Sequence, residues 1–494
     1  PIFLERSGAA VFPWKGTPRK TVGNDVQQGP VMSEVLEVRN PRSGVVDYHV
    51  TVPNRAAMQA TCEGLRAAQS NWARIGLEGR KAAMLQACDA VDRHYDAIVE
   101  ALTVDTGRHA MSVAEVEGFK GITRMRVATA EAALAPLTGV SSDGGLAFRQ
   151  QYVPYQLVGI ISPWNYPLIL SLIDAIPALL AGSAVAIKPS EVTPRFVEPL
   201  CRAFAEVEHL RDVIAYFVGG GETGAAVVDL TDMVVFTGSV ATGRKVQERT
   251  ASQFKTAFLE LGGNDPAVVL DSADADTAAE IIVRGALENS GQLCCAIERV
   301  YAGEKVYAAL VDRLVERTRA VTMNLDGVES GELGPIILDR QAAIIRAQLE
   351  DALAKGARVL TGGRIVEKDG GLWCEPTVLV DVTQDMAIMQ DETFGPIIPV
   401  ARFTTVDEAV RLANDTVFGL SAAVIGDEDE AIAVGEQINA GGLWINDFDT
   451  MGGVGARAEK TAFGVSGLGG SRYGFGGFFR FLRKKAIVVR KPAA

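Results

Sequence analysis

From about residue 153 onward, short β-rich runs alternate with segments of helical periodicity, and this alternation is the strongest constraint on the fold. The runs include VGIIS, AVAIKP, VIAYFVG, MVVFTG and TAFLEL, and a second alternating stretch covers about 262 to 445. Strands that alternate with helices predict a parallel sheet covered by helices on both faces. The 494 residues exceed the roughly 250 to 300 that one hydrophobic core holds, so we expect two or three domains.

The chain before these runs divides into two parts. The first 30 or so residues are rich in Gly, Pro and polar groups and predict an irregular arm, whereas residues 55 to 102 show helical spacing with many alanines. Further on, residues 166 to 187 are apolar and long enough to cross a bilayer. Pro167, Asp174, Pro177 and Gly182 divide this stretch, which favours a buried helix followed by a buried strand.

Charge and cysteine usage exclude several classes of partner. The formal net charge of -13 disfavours nucleic acid and anionic membrane surfaces. The basic, aromatic tail from Arg480 to Lys491 allows a lipid contact, but an element docked on a neighbouring surface is preferred. Six cysteines without a CxxC pair, and no visible secretory signal, predict a cytoplasmic protein without a disulfide framework or a metal site.

Two glycine-rich loops are candidates for phosphate binding. GGGETG, which contains Gly221, matches GxGxxG, but the acidic residue expected about 20 positions further on is missing, so its role stays open. FTGSVATG is the better candidate, because Gly238 lets the backbone approach a ligand and Ser239 can cap the following helix. Arg244 stands where a Walker loop has lysine, which disfavours an ATPase.

The segment KPSE follows the predicted strand AVAI, at the sheet edge where α/β proteins bind ligands. Lys188 and Glu191 therefore form either a ligand site or a solvated pair in a loop. In a ligand site, the carboxylate of Glu191 would accept hydrogen bonds from both ribose hydroxyls and would repel a 2′-phosphate.

The segment GQLCC places two cysteines, Cys294 and Cys295, just after a predicted helix. An ordinary thiol is mostly protonated at neutral pH, and none of the four histidines lies nearby in sequence to act as a base. Glu260 in ELGG ends a predicted strand beside an open turn and suits a general base, while Asn165 in PWNYP can donate to an oxyanion. The absence of GxSxG weakens a serine hydrolase interpretation.

Six short motifs together give the chain a resemblance to the aldehyde dehydrogenase superfamily. They are PWNYP, KPSE, FTGS, ELGG, GQLC and ETFGP, in the family's order and at its approximate separations. The resemblance implies an α/β fold with two parallel-sheet domains and a small β oligomerisation element. The implied division is an arm at 1–30, a cofactor domain at 31–131 and 153–261, a catalytic domain at 262–460, and the oligomerisation element at 132–152 and 477–494.

The resemblance also implies roles for individual residues. Cys294 would be the nucleophile and Cys295 only its neighbour, Glu260 would activate water, and Asn165 would form an oxyanion hole with the backbone N–H of Cys294. The cofactor would be NAD, with NADP possible. The residues that would hold it are Trp164, Lys188, Glu191, Gly221, Gly238, Ser239, Glu392 and Phe394.

The substrate is expected to be a hydrophobic aliphatic or aromatic aldehyde, because the residues near the motifs are apolar. The pocket residues expected from the motifs and the resemblance are Tyr166, Leu170, Ile173, Leu293, Phe448 and Met451. A CoA-acylating relative is an alternative that the presence of Glu260 disfavours, and a non-catalytic cofactor-binding relative is another. The resemblance implies a homodimer or homotetramer. Asn264 and Asp265 depart from the usual family pattern after ELGG.

Overall fold

The computed structural model describes residues 34–448 and 451–491, so the predicted arm at 1–30 lies outside the described residues. The described part opens with a two-stranded antiparallel ribbon and continues as four helices. Asn54 caps the first helix by accepting a hydrogen bond of 2.9 Å from the N–H of Ala57. The elements are β1 (Val35–Arg39), β2 (Val46–Thr51), α1 (Arg55–Arg74), α2 (Gly76–Arg93), α3 (Tyr95–Thr106) and α4 (His109–Leu134).

The first large sheet comes next in the chain, after a hairpin that belongs to a separate small sheet. Its parallel strands β5, β6, β7 and β8 are buried along their whole length, as expected for strands with helices on both faces. The elements are β3 (Thr138–Val140), β4 (Leu146–Pro154), β5 (Leu157–Ile161), α5 (Pro167–Leu172), α6 (Ala175–Ala181), β6 (Ala184–Lys188), α7 (Val197–Ala205), β7 (Ile214–Tyr216), α8 (Gly221–Leu230), β8 (Met233–Thr237), α9 (Val240–Ala251) and β9 (Thr256–Glu260).

The strand order of this sheet creates a ligand-binding crevice. The order β9-β8-β5-β6-β7 means that the chain moves outward from β5 on one side and returns to β8 on the other. The direction of winding therefore reverses between β5 and β8, and α/β proteins bind ligands outside the carboxyl ends of strands at such a point. The segments that leave these two ends are PWNYP after β5 and Gly238–Ser239 after β8.

The long apolar stretch at 166–187 has the structure predicted for it. It forms the short helices α5 and α6 and the strand β6 rather than one span, and Gly182 ends α6 with a φ of 105° that glycine tolerates. Within the described ranges, no helix combines the length and the hydropathy that a membrane span requires.

The second large sheet has seven strands in the order β12-β15-β16-β11-β10-β17-β18, and only its edge strand β12 is antiparallel to its neighbour. The elements are β10 (Asp265–Val269), α10 (Ala275–Leu287), β11 (Ile297–Gly303), α11 (Tyr307–Ala320), α12 (Asp339–Ala354), β12 (Arg358–Thr361), β13 (Ile365–Lys368), β14 (Gly371–Cys374), β15 (Thr377–Val380), α13 (Ala387–Gln390), β16 (Ile397–Phe403), α14 (Val406–Asn414), β17 (Ser421–Ile425), α15 (Glu428–Gly435) and β18 (Gly442–Ile445). β13 and β14 form a separate hairpin.

The C-terminal part contributes to two sheets. Its elements are α16 (Met451–Val454), β19 (Gly467–Leu468), α17 (Gly476–Phe479) and β20 (Leu482–Arg490). β19 returns to the first sheet beside β9, and β20 pairs antiparallel with β4 to complete a three-stranded sheet with β3. Two largely parallel α/β sheets plus a small β element confirm the predicted fold class. The exact domain boundaries stay a prediction, and the return of β19 adds residues after 460 to the first sheet.

Candidate active site

Two adjoining cavities occupy the crevice at the reversal point of the first sheet. The smaller one, of about 100 Å³, is lined by Cys294, and the larger one has a volume of about 680 Å³. Both are lined by Trp164, Gly238 and Ser239, so they share a wall. Predicted residues that line only the smaller cavity are Asn165, Leu170, Glu392 and Phe394, and those that line only the larger are Lys188, Glu191 and Gly221.

The larger cavity fits a dinucleotide. An ideal Cβ at Gly220 or Gly221 would meet nothing within 4 Å, so the start of α8 is open to a ligand, whereas a Cβ at Gly238 would lie 2.7 Å from the Phe236 ring. Ser239 caps α9 by accepting from the N–H of Thr242, and this helix presents free N–H groups to the same space. These features provide close backbone approach and a positive helix end, both of which suit a pyrophosphate.

Lys188 and Glu191 form an ion pair in the wall of the larger cavity. The distance from Lys188 Nζ to Glu191 Oε2 is 2.5 Å, and the lysine side chain is buried while that of Glu191 is partly exposed. The pair lies at the carboxyl end of β6, as the sequence predicted, and the lysine fixes the carboxylate beside the ligand space.

Asn165 is buried in the middle of the PWNYP loop and hydrogen-bonds across to the segment that carries the cysteines. Its Nδ2 donates to the carbonyl O of Gln292 over 3.0 Å. The carboxamide has a second N–H, so one donor remains for a ligand beside Cys294. The structure therefore brings the predicted oxyanion donor and the predicted nucleophile to one cavity.

The Cys294 thiol is in an environment that favours its ionised form. A hydrogen bond from Cys295, together with the charges of Lys460 and Arg472, lowers the pKa of the Cys294 thiol even though burial opposes this. Cys295 itself is buried in the hydrophobic core that Cys294 borders. The positive charge that a histidine would supply thus comes from residues distant in sequence, and Cys295 also contributes to the environment of the Cys294 thiol.

The segment that carries Glu392 and Phe394 is held beside the smaller cavity by the buried carboxylate of Glu298. Glu298 accepts hydrogen bonds of 2.8 Å and 2.7 Å from the N–H groups of Thr393 and Phe394, which holds the ETFGP segment in place. Phe394 has a φ of 50°, and its ring meets the Trp164 ring edge-on at 5.4 Å between centroids. Burial raises the pKa of Glu298 to about 7.

Glu260 is the last residue of β9, as predicted, but it is not part of the cavity lining around Cys294. Leu261 and Gly262, which follow it, line that cavity instead. The turn after Glu260 is also not open as expected, because an ideal Cβ at Gly262 would lie 2.5 Å from Oε1 of Glu392. Glu260 therefore stands at the margin of the cavity, within electrostatic reach of Lys460 and Arg472.

Only some of the residues predicted for the substrate pocket lie at the cavity. Leu170 lines the cavity with Cys294, whereas Ile173 and Phe448 are almost completely buried in the packed interior. Tyr166 lies under the guanidinium of Arg108, and Leu293 packs beside Cys294 in the same core. The side chain of Met451 lies outside what the structure describes.

Several residues of the site were not predicted from the sequence. Arg340 and Gln341, at the start of α12, line the cavities beside the predicted residues. Lys460, in the irregular C-terminal segment, has its Nζ 5.5 Å from the Trp444 ring centroid. None of these positions belongs to a short motif, so only the fold brings them to the site. In the ranges described, no cluster of metal-ligating side chains occurs, and the prediction of no metal is not otherwise tested.

The fold and the cavities define a class: a two-sheet α/β protein whose ligand crevice opens at the strand ends and leads to a cysteine. The chain belongs to the aldehyde dehydrogenase family, whose model matches residues 30–487. Members of this family are oxidoreductases, so the predicted enzyme class is confirmed.

Individual relatives support the same assignment. A Mycolicibacterium smegmatis protein assigned as an NADP(+)-dependent succinate-semialdehyde dehydrogenase is 33% identical over 86% of this chain and 83% of its own. The structure of a protein assigned as the aldehyde dehydrogenase PutA from Anabaena variabilis is 46% identical, with a TM-score of 0.91, and the match covers 93% of this chain and 98% of that one. Betaine aldehyde dehydrogenase from Staphylococcus aureus in complex with NAD+ is 28% identical, with a TM-score of 0.85 over 92% of this chain and 91% of that one.

Proposed function

We propose that the protein oxidises a hydrophobic aldehyde to the carboxylate with NAD, and that Cys294 is the covalent nucleophile. The observation that carries the proposal is the shared cavity, in which Cys294 and Asn165 face the inner end of a crevice that fits a dinucleotide. A bound nicotinamide dinucleotide supplies an acceptor for the hydride that leaves the substrate carbon. The residues that would hold it are Lys188 and Glu191 at one end, Gly238 and Ser239 at the pyrophosphate, and Glu392 with Phe394 and Trp164 at the other end.

The first chemical step uses the thiolate and the amide. Cys294 Sγ adds to the aldehyde carbon, so a C–S bond forms and the carbonyl oxygen becomes an oxyanion. The free N–H of Asn165 Nδ2 and the backbone N–H of Cys294 donate to that oxyanion. When the carbonyl bond is restored and the substrate carbon loses its hydride, the acyl group remains on Cys294 as a thioester.

Glu260 takes part in the second step. Its carboxylate removes a proton from a water molecule, the hydroxide oxygen adds to the thioester carbon, and the C–S bond then breaks to release the carboxylate and regenerate the Cys294 thiolate. Hydrolysis is favoured over transfer to CoA because this carboxylate is present.

The preference for NAD follows from Glu191, because its negative charge beside the ribose position repels a 2′-phosphate. The preference for an apolar aldehyde follows from Leu170 in the cavity wall and from the apolar core that surrounds Cys294. A charged semialdehyde that turns over much faster than benzaldehyde or hexanal would contradict this preference.

Assembly into a homodimer or homotetramer is part of the proposal. The three-stranded sheet of β3, β4 and β20 exposes several apolar side chains, and β20 forms its outer edge with unpaired backbone groups. A second copy of the chain is the partner that fits an exposed strand edge of this kind.

The test is a panel of aldehydes with NAD, followed by the absorbance of the reduced nicotinamide. Cys294→Ala should abolish oxidation while NAD binding remains, and Cys201→Ala, which alters another half-buried thiol, should leave it unchanged. Glu260→Gln should let acyl-Cys294 accumulate, as seen by mass spectrometry of acid-quenched protein. Oxidation by the Cys294→Ala variant, or an acyl-CoA product when CoA is added, would overturn the proposal.

A further inference from the structure

Arg108, just before α4, has a buried guanidinium that reaches the two loops of the proposed oxyanion site. Its side chain is 5% exposed. Nη2 donates to the carbonyl O of Asn165, and Nη1 donates to Oδ1 of Asn289. One planar cation thus connects the PWNYP loop with the segment that leads to Cys294. These contacts join residues 57 and 181 positions apart in the chain.

Asn289 closes this connection into a network. Its Nδ2 donates to the carbonyl O of Gln292 over 2.9 Å and to that of Asn165 over 3.3 Å. The carbonyl O of Gln292 also accepts from Asn165 Nδ2 over 3.0 Å. Because this bond uses one N–H of the Asn165 side-chain amide, the network also fixes the direction of the second N–H of that amide.

The backbone around Asn289 needs such support. Asn289, Ser290 and Gly291 have consecutive φ values of 54°, 57° and 68°, in the left-handed region that non-glycine residues rarely adopt. A non-glycine residue in that region is strained and persists only where its surroundings enforce the conformation. This turn sets the position of the backbone N–H of Cys294, three residues after Gly291. Arg108 holds the side chain of Asn289, the first residue of the turn.

The charge of Arg108 is balanced by Glu115, which lies seven residues further on, on the same face of α4. Glu115 Oε1 lies 3.3 Å from Arg108 Nη2, and Oε2 accepts from the N–H groups of Leu168 and Ile169 over 2.9 Å and 3.2 Å. Glu115 therefore anchors the first turn of α5, directly after the PWNYP loop. The guanidinium also lies 4.8 Å from the centre of the Tyr166 ring.

We propose that Arg108 is the positioning residue of the oxyanion site, and that it fixes the free N–H of Asn165 relative to the backbone N–H of Cys294. The inference rests on the proposed function, because it assigns Arg108 a part in the acylation of Cys294. Arg108 acts through Asn165 and Asn289 and is separate from the thiol. Its loss should therefore impair reactions that develop an oxyanion and spare reactions of the thiol that develop none.

The experiment compares two reactions of Cys294 that need no cofactor. Acylation by p-nitrophenyl acetate forms an oxyanion and releases a nitrophenolate burst, whereas alkylation by iodoacetamide forms none. Arg108→Met should slow the burst by about 10- to 100-fold, as expected for a misplaced oxyanion donor, and should leave alkylation within about twofold. Arg108→Lys, which keeps the charge and part of the contacts, should fall between Arg108→Met and the unaltered protein.

A double-mutant cycle separates positioning from a general structural role. Asn165→Ala should slow the burst, and the Arg108→Met, Asn165→Ala double variant should be no slower than Asn165→Ala alone. The matched control is Arg80→Met, because Arg80 is another buried arginine that donates to the backbone carbonyls of Leu180 and Ala73. It should leave the ratio of the burst rate to the alkylation rate unchanged.

The outcomes distinguish this inference from the proposed function. If the unaltered protein forms no acetyl-Cys294, the nucleophile assignment fails. If it does, but Arg108→Met and Arg108→Lys lower acylation and alkylation equally, have no effect, or add fully to Asn165→Ala, the positioning role fails and the proposed function stands. If Arg108→Met does not fold, the acylation and alkylation rates are compared in Arg108→Lys and Glu115→Gln instead.

Discussion

The backbone N–H of Gly263 donates a hydrogen bond of 3.0 Å to Oε1 of Glu392, which holds this carboxyl group against the turn beside Cys294. Burial and then the neighbouring Glu298 carboxylate raise the pKa of Glu392, and the Cys294 thiolate contributes in the same direction. Glu392 thus lines the smaller cavity and belongs to the electrostatic environment of Cys294.

Glu392→Gln should therefore have two opposite effects. At a pH above the raised pKa of Glu392 it should weaken NAD binding by about tenfold, because a hydrogen bond to a neutral acceptor is about 1 to 1.5 kcal/mol weaker than one to a charged acceptor. It should also speed the alkylation of Cys294 above the raised pKa of Glu392, where the carboxyl is ionised and glutamine is not, and should leave the rate at lower pH unchanged. Calorimetry and iodoacetamide kinetics measure these effects, with Glu206→Gln, an exposed pair partner of Arg93, as the control. Unchanged NAD affinity would remove Glu392 from the cofactor site.

Cys295→Ala should keep the nucleophile but change its pH dependence. Because a hydrogen bond from Cys295 is the largest factor that lowers the pKa of Cys294, its removal raises that pKa. Less thiolate is then present near neutral pH, so the curve of alkylation rate against pH should move to higher pH, and the rates should converge in alkali. Cys295→Ser retains an O–H donor and should restore most of the neutral rate. A curve that does not move in Cys295→Ala would exclude this hydrogen bond.

Lys460→Met should shift the same curve in the same direction. Burial disfavours the charge of Lys460, yet its pKa is raised because Tyr473, Cys295, Asp265 and Glu260 surround the ammonium. The charge of Lys460 in turn lowers the pKa of the Cys294 thiol. Lys460→Arg keeps a cation and should retain the original profile. If Lys460→Met instead raised KM for an acidic aldehyde and left the alkylation profile unchanged, the lysine would bind substrate.

The sequence predicted those parts of the site that depend on strand ends. PWNYP, FTGS and KPSE follow buried parallel strands, and the carboxyl ends of such strands share one edge of a sheet. Cys294 and its partners were brought together only by the resemblance, since Glu260, Asn165 and Cys294 lie on different elements.

The residues that support the site were not predictable in this way. Arg108 and Glu115 lie in a helical region whose sequence looks ordinary, and their partners are far away in the chain. The left-handed φ values of Asn289 and Ser290 were not predictable, because the one glycine of the turn, Gly291, follows them and tertiary contacts enforce their conformation. Lys460 acts through space from an irregular segment, and no spacing rule connects it to Cys294.

The sheet of β3, β4 and β20 provides the test of self-assembly. Val488 pairs directly with Phe148, which in turn pairs with Gly139, so these residues form one row across the sheet. Val488 is 59% exposed and Phe148 40% exposed in the single chain, which leaves an apolar row uncovered. A second copy that extends β20 or covers this row would bury both side chains.

Val488→Glu should therefore dissociate the assembly. A carboxylate buried without a partner costs about 3 to 5 kcal/mol, which corresponds to an affinity between subunits more than 100-fold weaker. Light scattering after size-exclusion chromatography should show the unaltered chain as a dimer or tetramer and Val488→Glu as a smaller species at the same concentration. Val417→Glu is the control, because Val417 is equally apolar and 63% exposed but lies outside this sheet. A monomer in the unaltered chain, or an assembly that tolerates Val488→Glu but not Val417→Glu, would show that this sheet is not the interface.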